Sequence, residues 1–213
     1  LVSLAESCTF DANYAGAVGG AVAVDGGTFS STECDYSGNV AGNGGAISAA
    51  EEDDDNSPAK VYVSGGTMRG NVAEPYVYAF GEDGYGGALR VQGGSEATLY
   101  LVAVQENSGN FGGGISLSAG SRVSCSEVNF SSNAARVAGG AVQAWGNGSH
   151  FLSERSLFVE NVASGYTHAS SDSSSSSGSS SSGVPTLDPA GAAGGAVSVT
   201  DRGSVVLLDS TFS

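Results

Sequence analysis

Two short phrases alternate along the whole chain of 213 residues. In the first phrase, a large apolar residue stands three places before an asparagine, as in Phe130 and Asn133. In the second, a glycine pair precedes a small and an aliphatic residue, as in 139–142. The asparagines are Asn13, Asn39, Asn71, Asn107, Asn133 and Asn161, and the first glycines of the pairs are Gly19, Gly44, Gly86, Gly112, Gly139 and Gly194. Such self-similarity is the sequence signature of a solenoid, in which each unit packs only against its neighbours.

Each unit contains three pairs of mostly apolar positions, and the members of a pair stand two residues apart. In the fifth unit these pairs are Val123 and Cys125, Val128 and Phe130, and Val142 and Ala144. Apolar residues two places apart are typical of half-buried strands, and a break in phase between pairs indicates a bend. The sequence therefore predicts an all-β fold, a parallel β-helix of about seven coils. We expect three short strands in each coil, with the apolar residues of successive coils stacked in one column.

Asparagine and glycine have separate roles in such a coil. An asparagine at an internal corner donates and accepts hydrogen bonds along the stack, which satisfies turn carbonyl groups that would otherwise be buried without a partner. A glycine pair adopts backbone angles that other residues avoid, and it lets neighbouring coils approach closely. We therefore expect the repeated asparagines and glycines to be structural and not to bind a ligand.

Three insertions interrupt the regular spacing. Residues 49–59 contain an acidic run, which is either a solvated loop or a weak divalent-cation site. Residues 72–85 form a loop that either contacts a protein or a sugar or folds over the coil edge. The aromatic residues of this loop are Tyr76, Tyr78, Phe80 and Tyr85. Residues 164–190 are rich in serine and glycine, and this composition predicts disorder.

The charge of the chain limits its partners. It has seven basic residues against 22 acidic ones, and its net charge is −15. Nucleic acids and anionic membranes are bound through clusters of lysine and arginine, so neither is expected as a partner. The longest apolar runs, such as 99–104, are far shorter than a membrane span. Because the chain begins and ends inside a repeat, we expect residues 1–213 to form one β-helix domain of a longer protein, a monomeric rod that does not insert into a membrane.

Cysteine and histidine indicate no metal site and no disulfide framework. Cys8 and Cys34 occupy equivalent positions in successive units. A disulfide between them is geometrically possible, and free thiols packed as small core residues are the alternative. His150 and His168 lack the spacing of metal ligands. No metal and no cofactor is therefore expected.

A polysaccharide-degrading enzyme would need carboxylates, or a metal-binding set with a base, converging on one outer face. The outward positions of the strands after the glycine pairs hold no acid pair; they are Ala23, Ser48, Arg90, Ser116, Gln143 and Ser198. Glu127, Arg155 and Asp209 are expected to stack as a surface salt ladder, whose ion pairs contribute little individually. The sequence therefore predicts no catalytic residue.

The alternation of apolar-x-x-Asn with Gly-Gly-Ala-aliphatic resembles the repeat of the polymorphic outer membrane proteins. The segments that fit best are 10–13 with 19–22, 130–133 with 139–142, and 158–161 with 194–197. Met68, Val104 and Gly114 depart from the pattern in the middle units. The resemblance implies a single-stranded, right-handed parallel β-helix of the pectin-lyase-like superfamily, as in the passenger domains of these autotransporter adhesins.

The resemblance also implies a function. It indicates a non-catalytic adhesin or structural protein outside the cell or on its surface, at the outer membrane if the protein is a bacterial autotransporter. The implied partner is a host or cell-surface protein or a glycan. Pectin lyases and polygalacturonases share the fold, so a polysaccharide-binding or polysaccharide-degrading enzyme is the alternative.

Overall fold

The computed structural model describes residues 2–51, 57–74, 84–164 and 195–213. These residues form β-strands and no helix. All pairings between the strands are parallel. Residues 52–56, 75–83 and 165–194, and with them Tyr76, Tyr78, Phe80 and Gly194, lie outside the described residues. The same holds for most of the segment predicted to be disordered.

The chain repeats a set of four strands. The first three sets are β1 (Val2–Glu6), β2 (Thr9–Asp11), β3 (Tyr14–Val18), β4 (Val22–Asp25); β5 (Thr28–Thr32), β6 (Asp35–Ser37), β7 (Val40–Asn43), β8 (Ile47–Ala50); and β9 (Lys60–Ser64), β10 (Thr67–Arg69), β11 (Val72–Ala73), β12 (Leu89–Val91). The next are β13 (Glu96–Tyr100), β14 (Ala103–Gln105), β15 (Ser108–Phe111), β16 (Ile115–Leu117); and β17 (Arg122–Ser126), β18 (Asn129–Ser131), β19 (Ala134–Ala138), β20 (Val142–Trp145). The last are β21 (His150–Glu154), β22 (Leu157–Val159), β23 (Val162–Ala163), β24 (Val197–Thr200); and β25 (Ser204–Leu208), β26 (Thr211–Phe212).

Equivalent strands of successive sets join into four sheets. Sheet A contains β1, β5, β9, β13, β17, β21 and β25, and sheet B contains β2, β6, β10, β14, β18, β22 and β26. Sheet C contains β3, β7, β11, β15, β19 and β23, and sheet D contains β4, β8, β12, β16, β20 and β24. Because the chain visits sheets A, B, C and D in that order in each set, the arrangement is consistent with a parallel β-helix.

The prediction of three strands in each coil is wrong, because it omits sheet C. The strands of sheet C lie between the asparagine and the glycine pair, where the sequence indicated only a corner. β3 reads YAGAV and β19 reads AARVA. Such short runs of small residues carry no clear alternation of apolar and polar side chains. The strands form through backbone pairing with the neighbouring coils, and the pairing contains register shifts after Ala15 and after Gly109.

Left-handed backbone angles form the bends on either side of sheet B. In the fifth set, Glu127 has φ of 57° between sheets A and B, and Ser132 has φ of 53° between sheets B and C. Residues other than glycine adopt such angles at a cost of about 1 kcal/mol or more. Hydrogen bonds to the next coil offset this cost, since Glu127 N–H donates to Glu154 O at 3.0 Å and Ser132 N–H to Val159 O at 2.9 Å.

Side chains of sheets A, B and D fill the interior. The apolar residues of sheet B lie in register one above another, and they are Phe10, Tyr36, Met68, Val104, Phe130, Phe158 and Phe212. The ring centroids of Phe10 and Tyr36 are 4.8 Å apart, and those of Phe130 and Phe158 are 4.7 Å apart. The planes of these pairs differ by 4° and 10°. The expected column is therefore present, with rings stacked at the spacing of neighbouring strands.

Tyr36 places a hydroxyl inside this column and should make stability depend on alkaline pH. Its side chain is fully buried. Burial raises the pKa of Tyr36 to about 12. The unfolded chain loses this proton near pH 10. Between about pH 10 and pH 12 the unfolded state therefore binds fewer protons than the folded state, and the free energy of unfolding falls as the pH rises.

The variant Tyr36→Phe removes this titrating group. We expect its free energy of unfolding to fall less than that of the unmodified protein between neutral pH and pH values above 11, by roughly 2 kcal/mol. Urea denaturation at several pH values measures the difference. Tyr62→Phe is the matched control, because the ring of Tyr62 is 42% exposed on the outside of sheet A. Equal losses in Tyr36→Phe and the unmodified protein would contradict the expectation.

Candidate functional site

Each repeated asparagine joins two neighbouring coils. Oδ1 of Asn107 accepts hydrogen bonds from the backbone N–H and the Nδ2 of Asn71, each at 2.9 Å. Nδ2 of Asn107 donates to Oδ1 of Asn133 and to the carbonyl oxygen of Met68, again at 2.9 Å. The side chain is fully buried. Its carboxamide is thus used entirely within the stack.

The same bonds connect the repeated asparagines from Asn13 to Asn161. From Asn13 to Asn133, each backbone N–H and each Nδ2 donates to Oδ1 of the asparagine in the next coil, at 2.8–3.1 Å. From Asn39 onward, each Nδ2 also reaches the carbonyl oxygen of the column residue of the preceding coil. We call this arrangement the asparagine ladder. From Asn39 to Asn133, its geometry is that of a structural element with no polar group of the carboxamides left over for a ligand.

The two glycines of each pair serve different needs. Gly86 has φ of 66°, and a Cβ there would lie 2.1 Å from the carbonyl oxygen of Leu89 in the same turn. A Cβ at Gly87 would lie 2.1 Å from the carbonyl oxygen of Gly113 in the next coil. The first glycine therefore shapes the turn, and the second lets two backbones approach. The first glycines Gly19, Gly44, Gly112 and Gly139 likewise have φ between 59° and 66°.

Removing one carboxamide should destabilise the whole stack. Asn133→Ala deprives Asn107 of its acceptor and leaves the carbonyl oxygen of Val104 without its donor. Because these groups stay buried, we expect a loss of about 3 kcal/mol in the free energy of unfolding. Urea or thermal denaturation measures it. Asn147→Ala, at an exposed turn residue, is the control and should change stability by less than about 0.5 kcal/mol; similar losses in both variants would contradict a role for the ladder.

Two of the insertions occur at the same corner of the coil. Residues 75–83 fall between β11 of sheet C and β12 of sheet D, and residues 165–194 fall between β23 of sheet C and β24 of sheet D. In the second and fourth coils, the glycine pair follows its asparagine after only five residues, as from Asn107 to Gly112. We call the corner between sheets C and D the insertion corner.

A groove of about 440 Å³ lies along sheet C beside the insertion corner. It crosses β11, β15 and β19 and reaches the residue that follows β23, and its lining residues are Val72, Ala73, Glu74, Ser108, Gly109, Asn110, Ala134, Ala135, Arg136 and Ser164. The described chain ends at Glu74 before one insertion and at Ser164 before the other. The residues that directly precede the two insertions therefore line one groove. Its floor is made of small side chains, and exposed Glu74 and Arg136 contribute opposite charges.

Aromatic rings cluster on the sheet D side of the insertion corner. The ring of Tyr85 stacks on Phe111 with centroids 4.9 Å apart and on Trp145 with centroids 5.9 Å apart. Cζ of Arg90 lies 5.2 Å from the centroid of Tyr85, in the geometry of a cation–π contact. Tyr85 is 9% exposed, so its ring packs against the coil. Of the four aromatic residues predicted to form a contact loop, Tyr85 is the one that the structure describes.

Sequence reasoning missed this cluster, although part of the signal was present. Tyr85 and Phe111 each stand directly before a glycine pair, so equivalent positions could have been recognised. Trp145 lies at the end of β20 and two coils away from Tyr85, and no repeat position links them. In the described part of the chain, the buried indole N–H of Trp145 has no hydrogen-bond acceptor.

The outward residues of sheet D are mostly buried. Ser48, Ser116, Gln143 and Ser198 are each at most 5% exposed. Ser116 Oγ donates to Gln143 Oε1 at 3.3 Å. These residues lie in register one above another, as the sequence analysis predicted. Their burial was not predicted, because the alternation of side chains along a strand does not show whether other residues cover its outer face.

Ion pairs form short rows on the surface. Arg155 pairs with Glu127 at 3.3 Å and with Glu154 at 3.7 Å, and in the described part of the chain Asp209 joins no ion pair. The expected row of Glu127, Arg155 and Asp209 is therefore only partly formed. Glu96 bridges Lys60 at 4.0 Å and Arg122 at 3.8 Å, a second row that the sequence analysis missed. All these side chains are 38–64% exposed, so each pair contributes at most about 1 kcal/mol.

The three cysteines are free thiols. Cys8 N–H donates to Cys34 Sγ at 3.3 Å, which places the two residues on neighbouring coils without a bridge. Burial raises the pKa of the Cys34 and Cys125 thiols. Because the thiolate is the reactive form, these two residues behave as small core residues.

One of the two histidines, His150, lies in the described part of the chain. His150 Nδ1 contacts Ser204 Oγ on the next strand of sheet A, and His168 lies outside the described residues. Among the described residues, no group of three or more His, Cys, Asp or Glu side chains is placed to hold a metal ion. The same residues include no helix long and apolar enough to cross a membrane.

Comparisons with protein-family models, with curated proteins and with solved structures found no match for this chain.

Proposed function

We propose that the chain is a non-catalytic, right-handed parallel β-helix of about seven coils that acts outside the cell or on its surface. It presents the insertion corner to a partner. The observation that carries this proposal is that Glu74 and Ser164, which directly precede the two insertions between sheets C and D, line one groove. Recognition is commonly located in loops held by a rigid scaffold.

The scaffold is complete without the insertions. The second and fourth coils pass from asparagine to glycine in five residues and form the same ladder bonds as the third coil, which carries residues 75–83. The ladder bonds are therefore the same in the coil with the additional residues and in the coils without them. Surface insertions of this kind add little entropic cost to folding. This favours a role for them in contact with a partner.

The resemblance to the repeats of the polymorphic outer membrane proteins supports an extracellular or cell-surface setting. The partner would be a host or cell-surface protein or a glycan. The groove offers Glu74, Asn110 and Arg136 as polar groups, and Tyr85 and Phe111 lie at the adjoining corner. Protein and glycan ligands are both recognised by such combinations of apolar rings and a few polar groups.

Deletion of residues 75–84 tests the contact surface. It removes ten residues, so the interval from Asn71 to Gly86 falls from 15 to five, the interval seen from Asn107 to Gly112. We expect the shortened protein to keep its melting temperature and to lose binding to cells or to a glycan and protein array. The unmodified protein, labelled and applied to the same array, defines the starting level.

A second deletion is the matched control. Removal of residues 52–56 shortens the link between β8 and β9 from nine residues to four, as between β12 and β13. This link joins sheets D and A, and none of its described residues lines the groove. We expect unchanged binding. If the control deletion lost binding as completely as the first, or if the unmodified protein bound no component of these arrays, the proposal would be wrong.

A polysaccharide-degrading enzyme is the second candidate, and the Arg90 contact with Tyr85 is the observation that favours it. A guanidinium beside an aromatic ring can hold an acidic sugar. Incubation with polygalacturonate, with and without Ca²⁺, decides between the two. We expect no turnover; turnover that is abolished in Arg90→Ala would replace the proposed function with the enzymatic one.

A further inference from the structure

The sequence contains two Asn-Gly dipeptides, and the structure gives them opposite environments. They are Asn43-Gly44 and Asn147-Gly148. Asn147 is exposed in the turn between β20 and β21, while Asn43 is 6% exposed at the end of β7. The same dipeptide therefore occurs once on the surface and once inside the stack.

An asparagine followed by glycine can lose its amide without any enzyme. The backbone nitrogen of the glycine attacks Cγ of the asparagine and gives up its proton, and the amide nitrogen leaves as ammonia. A five-membered succinimide results. Water then adds to one of the two ring carbonyls and opens the ring to aspartate or isoaspartate, so atoms balance and no oxidant is needed. Glycine favours the attack because it has no Cβ to hinder it, and asparagine is among the thermolabile residues for such reasons.

Asn43 is held in a form that cannot react. Its Oδ1 accepts a hydrogen bond from Tyr85 N–H at 3.1 Å. The attacking nitrogen would be that of Gly44, whose N–H donates to Tyr85 O at 2.8 Å. Both partners of the reaction are therefore fixed by the same residue of the next coil. Reaction at Asn43 requires this part of the stack to open first.

Asn147 has none of these restraints in the described part of the chain. Gly148 N–H donates no backbone hydrogen bond there, and the turn is closed by Ser149 N–H donating to Gly146 O at 3.2 Å. The flanking residues Gly146 and Gly148 have φ of 84° and 82°. A turn bordered by two glycines leaves the carboxamide and the following nitrogen free to approach each other.

We propose that Asn147 is a site of spontaneous deamidation in the folded protein and that Asn43 is protected. The reaction adds a negative charge to the turn between sheets D and A. Isoaspartate also adds one carbon to the backbone between residue 147 and Gly148. The next residue is Ser149, whose Oγ donates to Trp145 O at 2.8 Å and accepts from Gly120 N–H at 3.2 Å. Deamidation therefore alters a turn that is tied to the neighbouring coil.

The test is peptide mapping by mass spectrometry after incubation of the folded protein at mildly alkaline pH in water enriched in ¹⁸O. Deamidation in solution incorporates the heavy oxygen, which separates it from modification before the incubation. We expect the Asn147 peptide to react at least roughly ten times faster than the Asn43 peptide, because Asn43 reacts only after local opening. In urea the two rates should become similar.

Two variants complete the test. Gly148→Ala places a Cβ beside the attacking nitrogen and should slow the reaction at residue 147 several-fold, while Asn43 stays protected. Asn147→Gln has a longer side chain that cannot form the five-membered succinimide, so we expect the turn to stay unmodified. An Asn147 peptide that stays intact while the same peptide in urea reacts would overturn the proposal. Equal rates at Asn43 and Asn147 in the folded protein would overturn it as well.

Discussion

The asparagine ladder is the interaction on which the rest of the structure depends. At the corner between sheets B and C, the backbone bends beside the buried column and exposes N–H and C=O groups to an apolar interior. A carboxamide carries both donors and an acceptor, so it can satisfy these groups and bind its own copy in the next coil. Asn39, Asn71, Asn107 and Asn133 are fully buried and do so without interruption. The ladder thereby fixes the register of the first six coils relative to one another.

The ladder and the column explain why other positions vary. Once register is fixed, the column position accepts Met68 and Val104 among aromatic rings, because neighbouring coils supply the remaining contacts. The left-handed bends accept Glu127 or Ser132, because stacking hydrogen bonds offset the backbone strain. The insertion corner accepts long additions, because the five-residue connection already completes the coil. The interior is constrained, and sequence freedom is concentrated at this edge.

Sequence patterns predicted the parts of the fold that depend on side-chain chemistry. The column, the repeated asparagines and the glycine pairs have distinct residue types, and their spacing gave the sheets A, B and D. Sheet C was missed because its strands, such as β19, consist of small residues whose pairing is a backbone effect. The stacking of Tyr85 on Trp145 was missed because it joins different positions of different coils. The groove was missed because a run of small residues in the sequence does not show whether the space above them is filled by other side chains.

Hydrogen exchange of side-chain carboxamides, followed by ¹⁵N nuclear magnetic resonance, tests the ladder most directly. It observes the Nδ2 protons themselves and does not depend on any substitution. The account predicts that the Nδ2 protons of Asn39, Asn71, Asn107 and Asn133 exchange only on opening of the stack, far more slowly than those of exposed Asn147. Exchange of the ladder carboxamides at the rate of Asn147 would contradict it.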